Sequence, residues 1–257
     1  MQQWTKQKQV LVLGGTREAT PLAAQAADIP GVKVITALAG RTRQPMMPSV
    51  NTRIGSFGGI AGLTHYLREQ EINVLIDATH PFAAQISLNA IAAATAVGIP
   101  HLMLIRPAWQ RTADDHWIEV ENNAAAAAVL PSIAQRILLT IGRQELATFA
   151  YLQDLWFLMR MIDSPPADAR IPPGKLLRER GPFSLDHERS LLQVYEIDAI
   201  VSKNSGGEAT YAKIIAAREL QIPVVMVQRP SIPCGNKVAD IESALSWLKK
   251  TIAFKPN

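Results

Sequence analysis

Asp77, Thr79 and His80 stand within four residues of one another in the stretch IDATHPFAAQIS, where an apolar run gives way to small residues. A carboxylate can fix the orientation of a hydroxyl or an imidazole, and an imidazole can move a proton near neutral pH. A second cluster, VSKNSGGEAT, sets Lys203, Asn204 and Ser205 ahead of Gly206 and Gly207. Lysine there offers a point charge to a ligand, and a desolvated lysine also gives up its proton more easily. A third, VLVLGGTRE, reads as a strand, a glycine turn and a helix start. Gly14 and Gly15 let a ligand approach the backbone, and the helix end at Thr16 and Arg17 offers N–H groups to phosphate. Glu18 stands where the dinucleotide fingerprint has its third glycine, so a ligand-free tight turn stays open as the alternative.

The second apolar run ends in LAGRTRQP. Arg41, Thr42 and Arg43 stand there, with no acid of the kind that holds the ribose of NAD. Arginine suits a 2′-phosphate, so these residues favour NADPH over NADH unless they are solvated loop charges. Thr16 and Thr79 are placed to cap helices, with Pro81 in the first turn after Thr79, and Ser205 with Glu208 has the spacing of a capping box. His65, His101, His116 and His187 show no zinc-ligand spacing, and C-x-x-C, H-E-x-x-H and a nucleophile elbow are absent, so no metal site is expected.

These clusters need a scaffold. Apolar runs at 9–13, 32–36, 73–77, 101–105, 136–140, 198–202 and 223–227 alternate with Ala-rich or amphipathic stretches. Continuous apolar strands separated by helices imply an α/β fold with parallel sheet covered on both faces. GIPHLMLIRP (98–107) recurs as QIPVVMVQRP (221–230), 123 residues on; INVLIDAT recurs as IDAIVSKN at an offset of 125, and VLVLGGTRE is echoed by ILLTIGRQE. Two Rossmann-like lobes are expected: residues 1–108 binding a dinucleotide, residues 109–257 completing the substrate site, with an active-site cleft between them. The boundary is placed near Arg106–His116, which lacks apolar periodicity. In open α/β sheets ligands bind beyond the carboxyl ends of the strands, and all the clusters above, with Ile141, Gly142 and Arg143, fall at such ends.

Composition bounds the partners. With 48% apolar and 19% charged residues the chain is ordinary for a soluble globular protein, and no apolar run is long enough for a membrane span. The single cysteine fits a reducing, cytoplasmic setting. The net charge of +4 is scattered, without basic runs, which points to an anionic small molecule rather than nucleic acid.

The motifs LGGTREA, LAGRT, GSFGG, IDATHPFAAQIS, RPAW, GPFSLDHE, VSKNSGGEATYAKIIAAREL and PVVMVQRP appear in this order, from about residue 10 to about residue 233. Together they resemble the precorrin-6A reductase family, including its cobalt-precorrin-6A counterpart. The resemblance implies hydride transfer from NADPH, with NADH as the alternative, to one double bond of an anionic tetrapyrrole, giving precorrin-6B in cobalamin biosynthesis. It would place Gly14, Gly15, Thr16 and Arg17 on the pyrophosphate, and Arg41, Thr42 and Arg43 on the 2′-phosphate. Ser56, Phe57, Gly58 and Gly59 would close over the cofactor. Asp77, Thr79, His80, Lys203, Asn204 and Ser205 would face the nicotinamide and macrocycle, with Gly206, Gly207, Thr210, Tyr211 and Arg143 on the substrate. Lys203 and His80 would be the candidate proton donors, with solvent or the substrate's own carboxylates as the alternative, and Asp77 the third catalytic group. A tetrapyrrole methyltransferase using S-adenosylmethionine and a non-catalytic dinucleotide-binding protein are the competing readings.

Overall fold

Alternation along the strands decides the layers. The computed structural model describes residues 7–39, 51–231 and 235–253. In the first half, β1 (Lys8–Leu13), β2 (Val32–Leu38), β3 (Asn51–Ile54), β4 (Ile72–Asp77) and β5 (His101–Leu104) alternate with α1 (Ala19–Ala27), α2 (Gly59–Glu69) and α3 (Ala84–Val97). Val10, Val12, Val34, Val74 and Ile76 face one side and pack under α1. Their neighbours Leu11, Leu13, Ile35 and Leu75 face the other, against Leu63 and Leu67 of α2 and the alanines of α3. Both faces are buried, which is why these strands read as unbroken apolar runs.

The second half contributes β6 (Trp117–Val120), α4 (Asn123–Val129), β7 (Arg136–Thr140), β8 (Trp156–Met161), β9 (Gly174–Arg178), α5 (Leu185–Val194), β10 (Ala199–Lys203), α6 (Ala212–Glu219) and β11 (Val224–Val227). Then come β12 (Lys237–Val238) and α7 (Ile241–Ala253). The described residues form two six-stranded parallel sheets, ordered β12-β5-β4-β1-β2-β3 and β6-β11-β10-β7-β8-β9. Position by position the sheets have the same order, so the recurring sequence segments occupy equivalent strands: β1 and β7, β4 and β10, β5 and β11.

The sixth strand of each sheet is exchanged. The strand that follows β5 in sequence, β6, joins the second sheet, and the strand that follows β11, β12, pairs with β5. The compact units are therefore 1–106 with 231–257, and 107–230. This corrects the expected division, which assigned the whole tail from residue 109 to the second lobe. Ala244 and Leu248 of α7 are fully buried in the first unit's core with Leu22, Leu102 and Leu104.

The aperiodic stretch at Pro107–His116 is an ordered part of the second unit. Trp109 is buried, and the Asp115 carboxylate accepts hydrogen bonds from Thr112 (2.8 Å from its N–H, 2.9 Å from its hydroxyl) and from Arg218 (2.9 Å). Burial pushes the Asp115 carboxyl upward, but these donors outweigh it and hold it below its ordinary range. Among the described residues no helix is long and apolar enough to cross a membrane.

Candidate functional site

In the first unit the strand ends are tied together before any side chain acts. Gly14 N–H donates to Ala37 O (2.8 Å), Ala78 N–H to Leu13 O (2.9 Å), and Gly55 N–H to Leu38 O (2.9 Å). Thr16 donates its hydroxyl to Ala78 O at 2.8 Å, so it links two strand ends and does not cap α1, whose preceding residue is Glu18. Gly15 adopts φ +120°, which a side chain would oppose. A Cβ on Gly14 would stand 3.1 Å from Leu38 and 3.3 Å from Thr36. Beside these strand ends lies a pocket of about 200 Å³ lined by Gly14, Ser56, Phe57, Gly59 and Thr79 together with Asn89 and apolar side chains.

The GSFGG turn over this pocket is held from behind. Arg53 donates to Gly55 O (2.7 Å) and Ser56 O (3.0 Å), and its guanidinium lies 4.1 Å from the centre of the Phe57 ring. Phe57 meets Tyr66 edge-on at 5.1 Å. Burial raises the Tyr66 pKa, with Arg53 opposing and Glu69 adding to the rise. Ser56 Oγ accepts the Gly58 N–H, an internal turn bond.

Asp77 is 2% exposed and serves its own turn. Its Oδ1 accepts from the Thr79 N–H (3.0 Å) and hydroxyl (2.7 Å), and its Oδ2 meets no hydrogen-bond donor among the described residues. Thr79 is thereby aimed at the pocket and caps no helix: α3 begins at Ala84, behind Ala83. His80 Nδ1 accepts the Phe82 N–H at 3.2 Å, which places the proton of the neutral ring on Nε2. Arg17 is exposed, and Arg41, Thr42 and Arg43 lie outside the described residues.

The second unit uses the equivalent strand ends differently. No α-helix follows β7; a 3₁₀ turn, Arg143–Phe149, takes its place. Lys203, 14% exposed, is ion-paired with Glu145 at 2.7 Å, and Arg143 donates to Ser164 O at 3.2 Å. Asn204 and Ser205 are buried at 5% and 8%. The Asn204 amide accepts the Trp109 N–H (2.8 Å) and donates to Trp109 O (3.2 Å), and Trp109 Nε1 donates to Gly207 O (2.9 Å). Arg229 donates to the carbonyls of Asn204 and Ser205. A Cβ on Gly206, already at φ +67°, would meet Pro107 O at 1.9 Å.

The expected capping box does not form: Gly207 precedes a 3₁₀ turn at Glu208–Thr210, and α6 starts only at Ala212. The two glycines carry the chain across Pro107 before any helix begins, so Ser205 is too far from it to cap. Lys213 Nζ donates to the Thr210 carbonyl (3.0 Å), and the Arg218 guanidinium donates to the Tyr211 hydroxyl (3.1 Å). Asn204, Thr210 and Tyr211, expected on the substrate, thus spend these groups inside the unit. Sequence reasoning missed Asn89 and Glu145. Asn89 sits in an Ala-rich helix with no local signal, whereas Glu145 was visible as the counterpart of Glu18 in the internal repeat.

The chain matches the profile described as precorrin-6x reductase CbiJ/CobK over residues 9–249. It is 48% identical to a precorrin-6A reductase of Rhodococcus erythropolis over 240 residues, covering 93% of this chain and 96% of that protein. A cobalt-precorrin-6A reductase of Priestia megaterium is 28% identical over 252 residues, with 93% and 97% covered. Among solved structures, CobK precorrin-6A reductase superposes with a TM-score of 0.89 at 40% identity, covering 95% of this chain and 97% of that one.

Proposed function

The chain belongs to the CbiJ/CobK family of precorrin-6x reductases, and from that premise we propose that it reduces one carbon–carbon double bond of precorrin-6A with hydride from NADPH, giving precorrin-6B. It is an oxidoreductase of cobalamin biosynthesis. The observation that carries the finer reading is the first unit's pocket, which lies where dinucleotides bind in open α/β sheets. Its residues fit such a group: the bare backbone of Gly14 lines it at the end of β1, and Phe57 and Ser56 of the GSFGG turn line it beside Gly59.

We assign Gly14, Gly15 and Arg17 to the pyrophosphate, Ser56, Phe57 and Gly59 to the pocket wall, and Arg41, Thr42 and Arg43 to the 2′-phosphate. When bound, the reduced nicotinamide supplies the hydride. Thr79, held by Asp77, orients the ligand from the end of β4, so Asp77 acts through Thr79 and not on the reacting atoms. His80 holds its proton on Nε2 and Lys203 holds an ammonium at the end of β10; these are the groups we assign to proton delivery and to the carboxylates of the macrocycle. Arg143 and the backbone at Gly206 and Gly207 complete the substrate assignment. The higher identity to the precorrin-6A reductase, 48% against 28%, supports the cobalt-free macrocycle.

Fluorescence titration with NADPH, NADH and S-adenosylmethionine, followed by anaerobic turnover of precorrin-6A, tests the proposal. Tight NADPH binding, weaker NADH binding and oxidation of NADPH only with the tetrapyrrole present are expected. Binding of S-adenosylmethionine in place of either dinucleotide would sink the reading in favour of a methyltransferase, and dinucleotide binding without turnover would favour a non-catalytic role.

A further inference from the structure

Resting on the reading of Lys203 just given, we propose that Glu145 is a positioning residue of the reductase, which holds the Lys203 ammonium in place for the macrocycle. Three elements of the second unit converge to do this. β7 and β10 are neighbours, with Thr140 opposite Ser202, so the residues just beyond each strand end lie side by side. The 3₁₀ turn after β7 brings Glu145 back over that edge, and both its oxygens stand 2.7 Å from Lys203 Nζ. From behind, Asn123 at the start of α4 donates its Nδ2 to Glu145 Oε2.

The Asn123 amide is committed to this one orientation, because rotating it would turn its oxygen onto the carboxylate. Its own Oδ1 is consequently buried without a hydrogen-bond partner among the described residues. An unsatisfied buried oxygen is costly, whereas a partly exposed ion pair adds little to folding. The Glu145 side chain is 36% exposed, so folding stability does not account for the arrangement. What the arrangement secures is a fixed place for one ammonium at the strand edge.

The same device occurs in the first unit. Glu18 is the fifth residue after β1, as Glu145 is the fifth after β7, and it holds Arg106 at 2.9 Å. The repeat thus places one glutamate at each first turn, and the second unit gives it a lysine at the end of β10 to hold.

The experiment compares full-length Glu145→Gln, Glu145→Asp, Lys203→Ala and the double variant Glu145→Gln/Lys203→Ala. Anaerobic precorrin-6A turnover, NADPH titration and thermal melting are read for each. Glu145→Gln is expected to lower kcat for precorrin-6A about tenfold or more, with NADPH affinity and melting temperature unchanged. Glu145→Asp should recover part of the loss, and the double variant should be no worse than Lys203→Ala alone. Full turnover in Glu145→Gln beside an impaired Lys203→Ala overturns the inference and leaves the proposed reaction standing. Losses that multiply in the double variant overturn it equally. A fully active Lys203→Ala overturns the role given to Lys203 and the inference with it.

Discussion

Gly14 lines the pocket at a position already crowded by packed neighbours. Any side chain there points at Leu38 and Thr36, already within about van der Waals contact of its Cβ position. Gly14→Val is expected to weaken NADPH binding about tenfold or more, a loss of roughly 1.4 kcal/mol, read by fluorescence titration. Overpacking lowers stability in the same variant by about 1–3 kcal/mol. A second residue-scale prediction concerns Lys213, which is 3% exposed beside Arg160 and Glu188, themselves paired at 2.9 Å. Burial pushes its ammonium down to about 7, Arg160 adds to the fall and Glu188 opposes it. The unfolded chain, with an ordinary lysine pKa of about 10.4, therefore binds a proton that the folded chain lacks from about pH 7 to about pH 10. This group's contribution is smallest below about pH 7 and rises with pH through that window. Denaturant melts should show wild-type stability climbing from pH 7 to 9 relative to Lys213→Met; parallel profiles would refute the assignment.

At the scale of elements, turns that looked like ligand loops divide between those that line the pocket and those that bond their own backbone. Gly14 and Thr79 were legible because they lie just past the apolar runs of β1 and β4, whereas Ser56, Phe57 and Gly59, which also line the pocket, follow the unread β3 and were singled out only by the GSFGG motif. Asp77 and Asn204 were legible as important but not as inward-turned, since sequence alone does not say whether a polar side chain at a strand end meets a ligand or its own chain. Asn204→Leu removes both hydrogen bonds to Trp109 and leaves a buried N–H without a partner. A loss of about 1–3 kcal/mol is expected, measured by urea unfolding, with Trp109 fluorescence altered in the folded state. All seven strands read as apolar runs were found. Those missed, β3, β6, β9 and β12, are short or outward-facing edge strands with little apolar periodicity, and β8 hid its strand character in the Met- and Arg-containing WFLMRM.

For the whole molecule, the two units have equal strand order, and the strand that follows the fifth-position strand of each sheet in sequence, β6 after β5 and β12 after β11, joins the other sheet. The tail from Ser231 therefore belongs to a core more than a hundred residues away in the chain. Truncation after Pro230 removes Ala244 and Leu248 from the first unit and uncovers Leu22, Leu102 and Leu104. Removing two fully buried side chains, together with the helix that carries them, should cost several kcal/mol. Loss of NADPH binding and a lower melting temperature are the expected readings; unchanged binding would show that β12 and α7 are dispensable to the pocket.

Local pattern decided the α/β class, all the central strands but β8, the internal repeat and the polar turns at the strand ends, because apolar periodicity and turn composition act over a few residues. Long-range pairing decided the rest. Which sheet receives β6 and β12 depends on hydrogen bonds between segments that no local signal links, and so does the clamping of Asn204 on Trp109. The pairing of Lys203 with Glu145 is of the same kind: the sequence placed each at its strand end, and only the adjacency of β7 and β10 brought them together.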